Sequence, residues 1–189
     1  MSYTIVQQQP YDQDLDDILQ GVVVGLTGLD VNLVRPRWQP QPPTQVPATV
    51  DWCAIGVTTY TSTDFPEYTQ DDDLTGSLHR LERIDLLASF YGPNSSRNAA
   101  TLRDGLYLQN NHLVLEQSGL KLRGTEDVVH LGEEINAQYI QRSDLPISLM
   151  RILNPSVPIP TIIEAVVVTT ANSEDGSRVL DCTETITNQ

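Results

Sequence analysis

The stretch Asp51-Trp52-Cys53-Ala54-Ile55-Gly56-Val57-Thr58-Thr59-Tyr60-Thr61 decides the fold. Cys53, Ile55, Val57 and Thr59 alternate with Trp52, Ala54, Gly56, Thr58 and Tyr60, and β-branched and aromatic residues are frequent. That period of two is the pattern of a strand. A second run, Leu78 to Tyr91, alternates through Leu78, Arg80, Glu82, Ile84, Leu86, Ala88 and Phe90. Between them, Thr63 to Gly76 is a polar loop that contains Asp71-Asp72-Asp73. The two strands and this loop predict a long antiparallel hairpin over 51–91. Charges on both faces of the second strand's first half predict that it projects beyond the core there.

Upstream, Leu15, Ile18, Leu19, Val22, Val23 and Leu26 fall at helical spacing, behind an acidic start of Asp12, Asp14, Asp16 and Asp17. Negative charge suits a helix N-terminus, and Gly25 and Gly28 are candidate stops. Between helix and hairpin, Pro36, Pro40, Pro42, Pro43 and Pro47 stiffen an arm over 35–47. Proline fixes φ and removes donors, so the arm is extended, neither helix nor central strand. It carries Arg35, Arg37 and Trp38, and it reads equally as an arm docked on a neighbour or as a strap over its own core.

Downstream, Gly92-Pro93-Asn94-Ser95 breaks the strand, and Ser95 or Ser96 is placed to cap a helix through Leu102 and Leu106. Asn110-Asn111 interrupts it, and a second short helix, His112 to Ser118, ends at Gly119. Strand candidates follow at Val128-Val129, Ile135 to Arg142 and Asp144 to Leu153. Pro146 in the last suits an edge strand or a strand start. Asn154 to Pro160 is a second stiff linker. Beyond it, Ile162 to Thr170 and Arg178 to Thr187 flank a turn-rich Asn172 to Gly176, a hairpin signature. The order of elements predicts an α+β fold, a mostly antiparallel sheet flanked by helices. It divides into a body over 1–155 and a C-terminal β-hairpin extension over 156–189.

The chain has 189 residues, with 25 acidic and 11 basic side chains and a net charge of −14. A protein that grips phosphates needs a basic face, so this balance excludes a nucleic-acid clamp. Hydrophobic residues make up 39% and charged ones 19%, enough apolar side chains for a core. No stretch reaches the ~18 apolar residues of a membrane span. Met1 to Pro10 has neither a basic n-region nor an apolar h-region, which predicts no secretory signal. Cys53 and Cys182 are 129 positions apart and predict two unpaired thiols in a reducing cytosol.

The search for chemistry finds no constellation. His79, His112 and His130 lack the close spacing of metal pairs, and no nucleophile elbow accompanies the serines. Gly25-Leu26-Thr27-Gly28 lacks the lysine of a P-loop and the third glycine of a dinucleotide fingerprint. Asp71-Asp72-Asp73 is contiguous, whereas a hard cation wants oxygens at spread positions, so it reads as a solvated loop. Two stiff connectors and two hairpins are features of a protein that assembles.

Some of these segments carry a family resemblance. Leu33-Val34-Arg35-Pro36-Arg37-Trp38-Gln39-Pro40-Gln41-Pro42-Pro43, then Asp51-Trp52-Cys53-Ala54-Ile55-Gly56-Val57, Ser89-Phe90-Tyr91-Gly92-Pro93-Asn94 and Leu102-Arg103-Asp104-Gly105-Leu106-Tyr107 occur in that order. The sequence resembles the phage neck terminator family of tailed-bacteriophage virion proteins from about Gln13 to Leu153. Residues after about Pro155 carry no part of the likeness. The resemblance implies a tail-terminator-like α+β unit and a structural role without enzyme activity or cofactor.

It further implies a homo-oligomeric ring of six subunits in the virion neck, assembled in the host cytoplasm. Such a ring would terminate the tail tube, partner the tail tube protein and the head–tail connector, and meet DNA only in passage, with no membrane. Arg35, Pro36, Arg37, Trp38 and Trp52 are then candidates for the subunit or partner interface. Asp71, Asp72, Asp73 or the acidic N-terminal helix are candidates for a lumen or ring contact, since an acidic channel lets a duplex slide. The competing readings are a non-enzymatic adaptor or ligand-binding module of the same architecture and, with no visible site, a hydrolase.

Overall fold

The first helix, α1 (Asp12–Thr27), buries Leu15, Leu19 and Val23 and leaves Asp12, Asp14 and Asp17 exposed. The computed structural model describes residues 11–39, 44, 46–70, 75–135, 138–158, 164–172 and 179–187. Of the two candidate stops, Gly28 ends α1. Its φ of 72° is left-handed, and its N–H reaches the Val24 carbonyl at 2.9 Å. Gly25 lies inside the helix.

The strands are β1 (Val34–Pro36), β2 (Trp52–Ser62), β3 (Glu67–Gln70), β4 (Thr75–Tyr91), β5 (Lys121–Thr125), β6 (Val129–Ile135), β7 (Gln138–Leu153), β8 (Ser156–Pro158), β9 (Glu164–Asn172) and β10 (Val179–Thr187). Eight of them form one sheet in the order β1-β2-β4-β7, with β5 and β6 following each other along the far side of β7. The β1–β2 pair is parallel and the others are antiparallel. This is the expected α+β class. The hairpin of β2 and β4 pairs Trp52 with Tyr91 and Ser62 with Glu82. The N-terminal end of β4 projects as expected, and β3 and β8 pair with it there. Strands β9 and β10 form a separate two-stranded sheet.

Two more helices, α2 (Ser95–Leu106) and α3 (Gln109–Gln117), follow β4. Leu15, Leu19 and Val23 of α1, Ala99, Leu102 and Leu106 of α2, and Leu115 of α3 meet one sheet face. There they bury Cys53, Ile55, Ile84, Leu86, Ala88, Phe90, Leu145, Ile147 and Leu149. Because side chains alternate across a strand, the opposite face carries Leu81, Arg83, Asp85, Leu87, Ser89 and Tyr91 of β4. Their register partners there are Ile152, Met150, Ser148, Pro146, Asp144 and Arg142 of β7. No helix among the described residues covers this second face.

Four local readings are corrected. The residue before α2 is Asn94, and neither Ser95 nor Ser96 caps it. Asp51 instead accepts from the Asn94 N–H at 2.8 Å and its Nδ2 at 2.7 Å. The break after α2 falls at Tyr107-Leu108, while Asn111 lies inside α3 and its Nδ2 caps the Gly105 carbonyl at 2.7 Å. Two expected strands merge into β7, and Pro146 is internal to it. The Pro146 carbonyl accepts from the Glu126 N–H at 3.0 Å, between the end of β5 and the start of β6. A strand residue's N and O point to the same side, so the proline nitrogen faces the stretch between β5 and β6 and not β4, whose pairing with β7 continues past it. Finally, part of the second stiff linker becomes β8, whose edge position tolerates Pro158.

Candidate functional site

The arm crosses its own sheet. Pairing of Arg35 with Ala54 and Pro36 with Ile55 brings the chain along the β2 edge, and the Arg37 N–H donates to the Ile55 carbonyl at 2.7 Å. Arg35 fastens the local turn, its Nε donating to the Asn32 carbonyl at 3.2 Å and its Nη1 to the Thr44 carbonyl at 3.0 Å. Gly56 makes the crossing possible. A Cβ there would lie 2.8 Å from the Arg37 Cβ and 3.3 Å from the Trp38 ring. Residues 40–43 and 45 of the arm lie outside the described residues.

From the edge, Arg37 reaches inward over the uncovered face. Its Nη2 donates to the Ser89 Oγ at 2.5 Å, and the Ser89 hydroxyl donates to the Asp144 Oδ1 at 2.5 Å. Asp144 also receives a bidentate fork from Arg142, at 2.8 Å from both Nε and Nη2. The third guanidinium nitrogen of Arg142 donates to Glu133 at 3.0 Å. Burial opposes the charge on Arg142, but its hydrogen bonds to Asp144 and Glu133 and the nearby Tyr91 outweigh that and raise its pKa. The Arg142 guanidinium lies 5.6 Å over the Tyr91 ring, and that ring stacks on Trp52 at 4.1 Å and 6°. Burial raises the Tyr91 phenol above its ordinary value, so it stays protonated.

One connected network therefore joins the arm, β2, β4, β6 and β7. It gathers Arg37 and Trp52, which are far apart in sequence, and adds Ser89, Tyr91, Glu133, Arg142 and Asp144. The sequence reading named Ser89 and Tyr91 only as motif letters and missed Arg142 and Asp144. Their i, i+2 spacing on a strand puts opposite charges on one face, and that signal was available. Trp38 is outside the network. Its Nε1 donates to the Val57 carbonyl at 2.9 Å, while the residue stays 66% exposed. A large aromatic is thus held in place with its ring in solvent.

On the helix-covered face, a second polar group holds the start of α1. Arg151 and Glu82 form a buried ion pair at 2.8 Å, with side chains 4% and 3% exposed. The Tyr11 hydroxyl donates to Glu82 at 2.8 Å, and the Arg151 guanidinium stacks 4.3 Å over the Tyr11 ring. The charged first half of β4, expected to project beyond the core, thus holds one buried charge pair. Glu82 is buried because register sets it beside Arg151.

The remaining candidates are dispersed. Asp71, Asp72 and Asp73 lie outside the described residues. Burial pushes the Cys53 thiol well up, which makes it an inert core residue. His79 faces Asn154 at 2.8 Å. His130 Nδ1 lies 3.1 Å from the Ser96 Oγ and 3.2 Å from the Ser143 Oγ. Asp144 lies on the opposite side of β7 from Ser143 and is bound to Arg142, so it does not complete a triad with them. Among the described residues, no three His, Cys, Asp or Glu side chains are grouped to hold a metal ion. No helix there is long and apolar enough to cross a membrane.

A family model described as phage neck terminator protein matches residues 13–175. The match begins where the sequence motifs began and runs past Leu153 through β9. A search of the curated proteins finds no match.

Proposed function

The chain belongs to the phage neck terminator family, and from that premise we propose that it is a ring-forming structural protein of the virion neck. In this reading a homo-oligomeric ring, of six copies, terminates the tail tube and joins it to the head–tail connector. DNA passes through without being held. The carrying observation is the family match, which covers most of the chain and includes every element of the main sheet that follows α1.

The arm supports the reading as an interface. Arg35, Pro36, Arg37 and Trp52 are engaged with their own subunit, which fixes the arm before any partner arrives. A pre-ordered anchor loses little entropy on binding, and exposed tryptophans are favoured as hot spots. Trp38 is the residue that this reading puts against the next subunit or the tube protein. The division into a body over 1–155 and a hairpin extension over 156–189 belongs to the same reading. Pairing of β9 with β10 alone supports it.

The charge supports the channel. Residues 1–85 carry 13 acids and 4 bases, and the exposed Asp12, Asp14 and Asp17 present an acidic edge at the start of α1. A lumen lined by that edge, or by Asp71, Asp72 and Asp73, repels phosphate and leaves the duplex free to slide. Imaging the intact virion tests the whole proposal. Density for this chain between tail tube and connector is the expected result, and its absence from purified particles overturns it. A ring with α1 and the 71–73 loop both on its outer wall overturns the channel alone.

A further inference from the structure

The two ends of the main sheet carry opposite signs. At one end, residues 31–39 hold Arg35 and Arg37 and no acid. At the other, β6 holds Glu133 and Glu134 and no lysine or arginine. The strand order β1-β2-β4-β7-β6 separates the two ends by four strand spacings, about 19 Å. One chain therefore cannot bring its own two ends together, whereas a second copy can.

Both ends are open on the uncovered face. Arg35 pairs with Ala54, which alternates with the buried Cys53 and Ile55, so its side chain belongs to that face. The Trp38 ring lies there too, 3.3 Å from where a Gly56 Cβ would be. At the far end, Val129 and Leu131 pair with Asp144 and Arg142, and alternation sets Glu133 beside them. Val129 is 48% exposed and Leu131 45%. Arg35 bonds only carbonyls and has no acidic partner among the described residues. Glu133 gives Oε2 to Arg142, while its side chain stays 39% exposed and its Oε1 makes no bond among the described residues. One end thus offers a cation and a fixed aromatic ring, and the other a half-used carboxylate and an exposed apolar pair.

The order along the strands agrees. Strand β1 is parallel to β2, and β4, β7 and β6 then alternate in direction, so β6 runs antiparallel to β1. In a sheet continued edge to edge, β6 of one copy therefore meets β1 of the next running the opposite way. With Arg35 opposite Glu133, Trp38 falls three residues on, opposite position 130, between Val129 and Leu131. The parallel direction would set Trp38 opposite position 136, beyond the apolar pair. Backbone pairing adds little here, since Pro36 has no N–H and the Val34 carbonyl already accepts from Gln20 Nε2 at 2.6 Å. Side chains carry the contact.

We infer that the arm of one copy docks on β6 of a second copy, with Trp38 seated on Val129 and Leu131 and Arg35 paired with Glu133. The inference rests on the ring reading and assigns its two complementary surfaces, which a head-to-tail ring requires on every subunit. Opposite charge at the two ends also disfavours like ends meeting.

Thiol cross-linking tests this on the full chain, because Cys53 is buried and silent. Asn32 and Glu134 are exposed and flank the proposed contact without belonging to it. Asn32→Cys/Cys182→Ser protein is mixed with Glu134→Cys/Cys182→Ser protein and treated with a short bismaleimide. A covalent dimer in the mixture, absent from either protein alone, is expected. A mixture that stays monomeric overturns the inference, and so does a dimer from either protein alone, since like ends would then meet. Adding Trp38→Ala to the first protein lowers the yield by at least about tenfold while unfolding stays cooperative. An unchanged yield overturns the seating of Trp38. Light scattering of wild type separates the two levels: a closed ring without the cross-link refutes the docking and leaves the ring reading standing. A cross-link between copies that form only open chains refutes the ring and leaves the docking.

Discussion

Replacing Asp144 by alanine isolates what fastens the arm to the sheet. Asp144 is 8% exposed and accepts three hydrogen bonds, one from Ser89 and two from Arg142. Removing one partner of a buried ion pair costs about 3–5 kcal/mol, because the other charge is left without compensation. Here the Arg142 and Asp144 side chains retain 19% and 12% exposure, and Arg142 keeps Glu133 at 3.0 Å. Solvent and Glu133 therefore reduce the loss to about 2–3 kcal/mol. At about 2–4 °C per kcal/mol for a chain of this size, the unfolding midpoint falls by about 4–12 °C. The loss also has a local signature. Ser89 loses its acceptor, its hydroxyl no longer holds Arg37, and the arm loosens. Urea unfolding measures the first effect, and hydrogen exchange at the Arg37 N–H, bonded to the Ile55 carbonyl at 2.7 Å, measures the second. An exposed pair serves as control: Arg103→Ala, which removes the solvent-screened bond to Asp104, leaves the unfolding midpoint unchanged. An Asp144→Ala variant within the control's range, with Arg37 exchange unchanged, refutes the reasoning.

Three further outcomes follow from the same geometry. Glu82→Ala strands the buried Arg151 and costs about 3–5 kcal/mol, whereas Glu82→Leu with Arg151→Met recovers most of that loss in denaturant titrations. Gly56→Ala drives a methyl into Arg37 and Trp38, costs about 1–3 kcal/mol and moves the Trp38 fluorescence, while a purely permissive glycine would show neither. Burial first, then the negative charges of Asp17 and Asp12, raise the Asp16 carboxyl above its ordinary value. The folded state therefore holds that proton more tightly, and the site's contribution to stability declines as pH rises from the unfolded to the folded pKa. At neutral pH the penalty is fully present, so Asp16→Asn raises the midpoint at pH 7 and leaves it unchanged at pH 3; an equal rise at both would assign the effect to something other than charge.

The long hairpin of β2 and β4 was legible because alternation is a local property: Cys53, Ile55, Ile84 and Leu86 carry their own burial signal. The face of α1 was legible for the same reason, through Leu15, Leu19 and Val23. The arm was legible only in part. Five prolines made it extended, but docked arm and strap remained open, since a proline run does not say what it lies against. Pro146 misled, because a proline's cost depends on whether its nitrogen faces a partner, and the gap between β5 and β6 is a tertiary fact.

The sequence by itself determined the α+β class, the acidity, the stiff connectors and the family motifs, all set by composition and short-range pattern. Only the tertiary structure decided which charges meet. Arg37, Ser89, Asp144 and Arg142 are spread over more than a hundred residues, and Glu82 and Arg151 over 69. Pairing register brings them together, and register is fixed by the whole buried face rather than by any one residue. The same holds for the β-bulges at Thr58 of β2 and Arg123 of β5, because an extra residue in a strand has meaning only against the strand beside it.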